Sequence, residues 1–290
     1  MEWLLAALLG GFLGFNALAT PDRAAKTMEA SLRRTYPQAT VNAEVEGKKG
    51  RAVLKGHFRR VRLEMSGIGD IDNLPFSTGK ATKLGYLGRL ELALSNFRFS
   101  GLPIESSEFT FEDVAYDFNA LRKESKLSIV QCGPAQAKII LGAGALQQHF
   151  GDSLEGVTDV KISLRGGLLH LDAKKKLPLI PIGVPFHLSA RPIVKNQNEI
   201  WLTEGRLSFE NTTGLSLRVN NLLADLNPIY AFDPQKKWPF RIQLTSVAAQ
   251  NNQMQINAAL HFANMPQLSQ GREEAQPRIA SPLTWAPATP

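Results

Sequence analysis

At 290 residues, 43% hydrophobic and 20% charged, the chain is long enough to bury a sizeable core and has the composition of an ordinary globular protein. Its net charge of +7, from 33 Lys and Arg against 26 Asp and Glu, favours anionic partners, either nucleic acid or anionic lipid surfaces. The single cysteine, Cys132, excludes an internal disulfide and a cysteine-rich metal site, and its apolar surroundings (Leu127, Ile129, Val130) describe a buried, inert thiol.

The first stretch, Trp3 to Ala19, carries no charge, and Ala17-Leu18-Ala19 has the small-x-small pattern of a signal-peptidase site. Met1-Glu2 offers no Lys or Arg, and Arg23, Lys26, Arg33 and Arg34 follow the apolar run. Three readings stand: a cleaved export signal, a retained N-terminal membrane anchor, or a buried core helix. The first two make residues 1–19 a signal peptide or anchor and expect an exported or membrane-tethered protein. At the other end, residues 264–290 carry prolines 266, 277, 282, 287 and 290 without periodicity, which predicts a disordered tail. No low-complexity linker divides the stretch between them, so residues 20–263 are expected to form a single domain.

Thr20-Pro21 reads as an N-cap with proline at N1, and Ala24, Ala25, Met28 and Leu32 recur at helical spacing until Pro37. Strands are predicted at 40–46, 51–65, 86–99, 107–118 and 126–131. Three of them switch the parity of their apolar residues: Ala52, Leu54 and Phe58 give way to Val61, Leu63 and Met65; Leu90, Leu92 and Leu94 to Phe97 and Phe99; Phe109 and Phe111 to Val114, Tyr116 and Phe118. A strict strand would turn its apolar set outward at each switch, whereas a β-bulge would restore the face and bend the strand. The slips therefore predict a strongly curved sheet.

A second helix is expected from Gly133-Pro134 to Phe150, with Ile139, Ile140, Ala143, Leu146 and Phe150 as its stripe and Gly151 past its end. Strands follow at 157–165 and 168–173, joined at Gly166-Gly167, then at 184–194, 199–210, 238–249 and 252–262. A helix or loop broken by Pro228 occupies 221–232. The expected class is α+β, a strongly curved and mainly antiparallel sheet wrapped around one or two amphipathic helices.

Gly151-Asp152-Ser153-Leu154 spells the motif of the GDSL esterases. A serine nucleophile needs an oriented base, which that family draws from a late Asp-x-x-His, and no such pattern occurs here. The motif also follows a predicted helix rather than a strand, so Asp152 and Ser153 read as turn formers and a serine esterase stays a remote alternative. His57, His149, His170, His187 and His261 lack ligand spacing, and no metal, cofactor or catalytic residue is expected. Asn211-Thr212-Thr213 is a sequon, relevant only in a glycosylating host. From 48 to 62 the chain carries Lys48, Lys49, Arg51, Lys55, Arg59, Arg60 and Arg62 without one acid. This is either a solvated outer strand face or a contact for anionic head groups. Nucleic acid is disfavoured because aromatics are not interleaved at exposed positions. Lys174-Lys175-Lys176 and Lys236-Lys237-Trp238 repeat the pattern on a smaller scale.

Several segments resemble the LmeA-like phospholipid-binding proteins, bacterial envelope proteins once grouped as a domain of unknown function. They are T-V-N-A-E-V-E (40–46), L-K-G-H-F-R-R-V-R-L-E-M-S-G (54–67), A-K-I-I-L-G-A-G-A-L-Q-Q-H-F (137–150), the L-N-P turn (226–228) and W-P-F-R-I-Q-L (238–244). The resemblance implies a curved sheet around helices, like one half of the tubular lipid-binding (BPI-like) proteins, and phospholipid binding without catalysis. Acyl chains are then expected between the 134–150 helix and the sheet. The expected tail contacts are Leu92, Leu94, Phe97, Phe99, Phe109, Phe111, Ile139, Ile140, Leu146 and Phe150. Lys55, Arg59, Arg60 and Arg62 would meet the head group or a membrane surface. The alternative is an envelope scaffold with a solid core.

Overall fold

The structure, a computed structural model, describes residues 20–48, 50–71, 77–78, 80–99, 102–120, 128–154, 156–177, 180–209, 219–232 and 240–262. The apolar N-terminal stretch, the sequon at Asn211, Lys236-Lys237-Trp238 and the tail from 264 lie outside the described residues.

Helix α1 (Pro21–Thr35) starts on the expected cap, with Thr20 Oγ1 accepting from the Arg23 N–H at 3.4 Å. Its stripe of Ala24, Met28 and Leu32 is buried. Strand β1 (Thr40–Glu46) lies beside it at the edge of a sheet. Glu29 accepts the Ala43 N–H at 3.1 Å and Arg33 donates to the Val41 carbonyl at 3.2 Å, so α1 occupies backbone groups that an open edge would leave for another chain. There follow α2 (Arg51–Leu54), β2 (His57–Ile71), β3 (Ser77–Thr78), β4 (Leu84–Phe99), β5 (Leu102–Asp117), β6 (Ser128–Gln131) and β7 (Ala135–Gly142). Then come α3 (Ala143–Ser153), β8 (Val157–Arg165), β9 (Leu168–Leu177), β10 (Ile180–Lys195) and β11 (Glu199–Phe209). The described chain ends with α4 (Val219–Leu226), β12 (Tyr230–Ala231), β13 (Phe240–Gln250) and β14 (Gln253–Phe262).

Strand dominates, with few helices. A large sheet runs β1-β2-β4-β5-β7-β14-β13, with β3 and β6 attached off this path, and curls into a half-barrel; a second sheet runs β12-β11-β10-β9-β8. Pairing is antiparallel except between β2 and β4 and between β3 and β6. The second sheet is tied to β13 and the β13–β14 turn: Gly167 N–H donates to the Ala249 carbonyl (3.0 Å), Leu244 N–H to the Gln197 carbonyl (2.7 Å) and Asn252 N–H to the Leu164 carbonyl (2.8 Å). One apolar cluster extends through both sheets, α1 and α3.

Two expectations of local structure are corrected. The helix placed at 134–150 is a strand followed by a shorter helix. Residues 135–138 alternate buried Ala with exposed Gln and Lys, a period of two, and β-branched Ile139 and Ile140 extend it. Gly142 is thus the N-cap of α3 rather than a mid-helix glycine, and Gly151 lies inside the helix, whose C-cap is Leu154. The strand placed at 51–65 instead opens with the single turn α2 and becomes extended only at His57.

The parity slips are real, and they line up. On one line, buried Phe58 gives way to Val61 in β2, Leu87 to Leu90 in β4, and Phe111 to Val114 in β5. On the second, Met65 gives way to Ile68, Leu94 to Phe97, and Ile104 to Ser107. The expected bulges are not the device between β4 and β5, whose register runs unbroken from Leu84↔Asp117 to Phe99↔Leu102. Each slip is shared by both strands, with left-handed backbone at Asp113 (φ 48°) on the first line and Asn96 (φ 51°) on the second. Between β2 and β4 the register does shift, between Ser66 and Gly69. Facing slips keep the ladder paired while turning every strand together, which folds the sheet along two creases.

Candidate functional site

The inner face of the half-barrel carries an apolar trough that straddles the second crease. β4 contributes Leu94, Phe97 and Phe99; β5 contributes Leu102, Ile104, Ser107 and Phe109; β7 contributes Ile139 and Leu141; β13 and β14 add Ile242 and Ile256. Tyr230 and Phe232 close it from the second sheet, packed edge-on with ring centroids 4.8 Å apart. Side chains meet here because one row crosses four strands: Leu94 pairs with Ser107, Ser107 with Ile139, and Ile139 with Ile256. Every lining residue except Ser107 is apolar or aromatic.

The trough is narrow. Its cavity volume is only about 50 Å³. Phe97 and Ile104 also border an open surface groove of about 560 Å³ shared with Asp70, Arg98 and Glu105. Gln253 donates to Glu105 there at 2.6 Å.

Of the expected tail contacts, Leu94, Phe97, Phe99, Phe109 and Ile139 line the trough. Leu92 and Phe111 are buried farther along the same face, towards the first crease. Leu146 and Phe150 are buried on α3, which packs against β8 and the ends of β5 and β7. Ile140 falls on the opposite parity from Ile139 because this segment is a strand, so the two cannot share a face. Tyr230, Phe232, Ile242 and Ile256 were not legible as site residues: 221–232 reads as a helix or loop, and alternation marks the strands of Ile242 and Ile256 without saying which distant strands adjoin.

The four head-group candidates do not gather at the trough. Arg60 and Arg62 lie on the outer face of β2, opposite buried Val61 and Leu63, among carboxylates from neighbouring strands. Arg60 donates to both oxygens of Glu91 (3.2 and 2.6 Å) and to Glu46 (3.1 Å), and Arg62 donates to Glu64 (2.8 Å). Arg89 pairs with Glu112 at 2.6 Å, continuing this chequered face onto β5. The hydrogen bonds from Arg60 hold the Glu91 carboxyl below its usual range against the effect of burial. Arg59 reaches Glu46 at 2.9 Å yet stays 82% exposed, and Lys55 is exposed. Arg59 lines an open groove with Lys48, His57, Phe58 and Tyr86.

Other candidate chemistry resolves into structure. Gly151, Asp152 and Ser153 form the last turn of α3, where Leu154 N–H donates to the Phe150 carbonyl at 3.0 Å. Burial, reinforced by the Asp113 and Glu112 carboxylates, pushes the Cys132 thiol up to about 12, and its Sγ lies 3.7 Å from the Glu112 carbonyl. Among the described residues, no three His, Cys, Asp or Glu are grouped to hold a metal, and no helix is long and apolar enough to cross a membrane.

The L-N-P turn positions the trough's cover. Asn227 accepts the Leu202 N–H through Oδ1 at 2.6 Å and donates through Nδ2 to the Leu202 carbonyl at 2.9 Å. Ile229 N–H then donates to Ile200 and Phe232 N–H to Asn198, which seats residues 229–232 against β11.

No curated protein and no solved structure matches the chain. A family model does, described as LmeA-like phospholipid-binding, over residues 17–259. That span runs from the start of α1 into β14 and includes the trough and its cover, and the chain therefore belongs to the LmeA-like phospholipid-binding family.

Proposed function

We propose that the protein is a non-enzymatic, exported component of the cell envelope that holds phospholipid acyl chains in the trough. The carrying observation is a groove walled almost wholly by Leu, Ile, Phe and Tyr in a chain of a phospholipid-binding family. The curled sheet corresponds in this reading to one half of a tubular lipid-binding protein. An acyl chain needs more width than the present space provides, so Tyr230 and Phe232 swing away as it enters. Lys55 and Arg59, the candidates least engaged by carboxylates, meet an anionic membrane surface, each worth about 1 kcal/mol there. The uncharged run from Trp3 to Ala19 supports export or anchoring.

Uptake of a fluorescent phospholipid, with native mass spectrometry of the gently purified protein, tests this. Stoichiometric bound lipid is expected, and Phe99→Glu, at a half-buried trough position, lowers uptake about tenfold by placing a charge against the chain. A protein free of lipid and unable to acquire it overturns the reading. The narrowness of the trough favours the scaffold alternative in that event, with a stable protein partner instead of lipid.

A further inference from the structure

Ser107 is the exception in the trough, and its environment has no use for a hydroxyl. The residue is 2% exposed, and its Oγ has no hydrogen-bond partner. Its neighbours across the ladder are Leu94 and Ile139, and the following inward position on its own strand is Phe109. A buried hydroxyl without a partner is destabilising, whereas alanine at the same place would satisfy the packing. A trapped water does not resolve this, because a water needs about two to four polar partners and the row offers only this one side chain.

We infer that the Ser107 hydroxyl donates a hydrogen bond to an ester carbonyl oxygen of the bound lipid, so that the site recognises acyl esters rather than plain hydrocarbon. The inference rests on the phospholipid reading above and adds a chemical class to it. The carbonyl supplies the missing acceptor, and no proton is transferred. Because Ser107 stands on the central row of the trough, the bond fixes how deeply the ester end enters and leaves the chain to Phe97, Phe99 and Phe109. A dialkyl-ether lipid of the same shape has no carbonyl and leaves the hydroxyl orphaned when bound.

The test compares diacyl and dialkyl-ether phosphatidylglycerols of equal chain length and head group, bound by the full chain and by Ser107→Ala. The wild type is expected to prefer the diacyl lipid by on the order of tenfold, and Ser107→Ala to bind the two alike. Without lipid, Ser107→Ala should melt at or above the wild-type temperature, which separates lost recognition from lost folding. Equal binding of both lipids by the wild type, or a preference that survives in Ser107→Ala, overturns the inference while leaving phospholipid binding intact. A wild type that binds neither lipid overturns the phospholipid reading and this inference with it.

Discussion

The side-chain amide of Asn227 makes the same two hydrogen bonds to Leu202, one to its N–H and one to its carbonyl, that a paired strand residue would make through its backbone. Asparagine can do this because its Oδ1 and Nδ2 reproduce the acceptor and donor of a peptide group. The pair anchors the segment bearing Tyr230 and Phe232, which cover the trough. Asn227→Ala removes both bonds and should cost about 1–3 kcal/mol. Asn227→Asp keeps the acceptor but sets a carboxylate oxygen against the Leu202 carbonyl, so it should cost at least as much. Thermal unfolding checks the ranking, and amide exchange at Ile229 and Phe232 should accelerate in the same order. Unchanged exchange in Asn227→Ala would mean that the cover is held by other contacts.

Gly88 sits on the first crease, where a Cβ added to it would lie 2.7 Å from the Arg59 carbonyl oxygen. Backbone cannot yield as a flexible side chain does, so Gly88→Ala must push β2 and β4 apart at the fold line. The expected loss is about 1–3 kcal/mol, the usual scale of overpacking. Gly144→Ala, in α3 where the added Cβ meets nothing within 4 Å, is the control and should lose no stability, gaining up to about 1 kcal/mol. Urea denaturation of the two variants would decide, and equal stabilities would remove the close approach as a reason for glycine.

Asp117 is 4% exposed at the end of β5, accepting from the N–H groups of Thr82 (2.9 Å), Asn119 (2.8 Å) and Ala120 (3.2 Å). Burial alone would raise its carboxyl, but the backbone donors outweigh that and hold it below the usual range. A depressed value means that the folded state favours the ionised form. Its contribution is present above the unfolded value, about 3.9, and is lost as pH falls through the lower folded value. Asp117→Asn should cost about 1–3 kcal/mol near neutral pH, and the gap from wild type should narrow below about pH 4. A gap constant from neutral to about pH 2 would show that ionisation contributes nothing.

Much was legible along the chain because its causes are local. The Thr20-Pro21 cap, the stripe Ala24, Met28 and Leu32, the limits of β1 and the hairpin at Gly166-Gly167 all follow from interactions within a few residues. The misreading at 134–150 came from the same source. Ile139, Ile140, Ala143 and Leu146 fit a helical stripe, while the alternation over 135–138 is only four residues long. Pairing of β7 with both β5 and β14 decides it, by satisfying the strand's backbone on either side.

The sequence by itself determined the parity slips, and hence that the sheet must bend, since apolar side chains cannot be thrown to the solvent face at each switch. It also determined the basic run from 48 to 62 and the apolar supply for a trough. Only the tertiary structure decided that the slips align into two creases, because alignment depends on the registers of β2, β4 and β5. Pairing across strands likewise set glutamates of β1 and β4 against Arg60, which no count of local charge could reveal. It placed Ser107, one residue among several serines in the chain, in a row between Leu94 and Ile139 where its hydroxyl has nothing to bind.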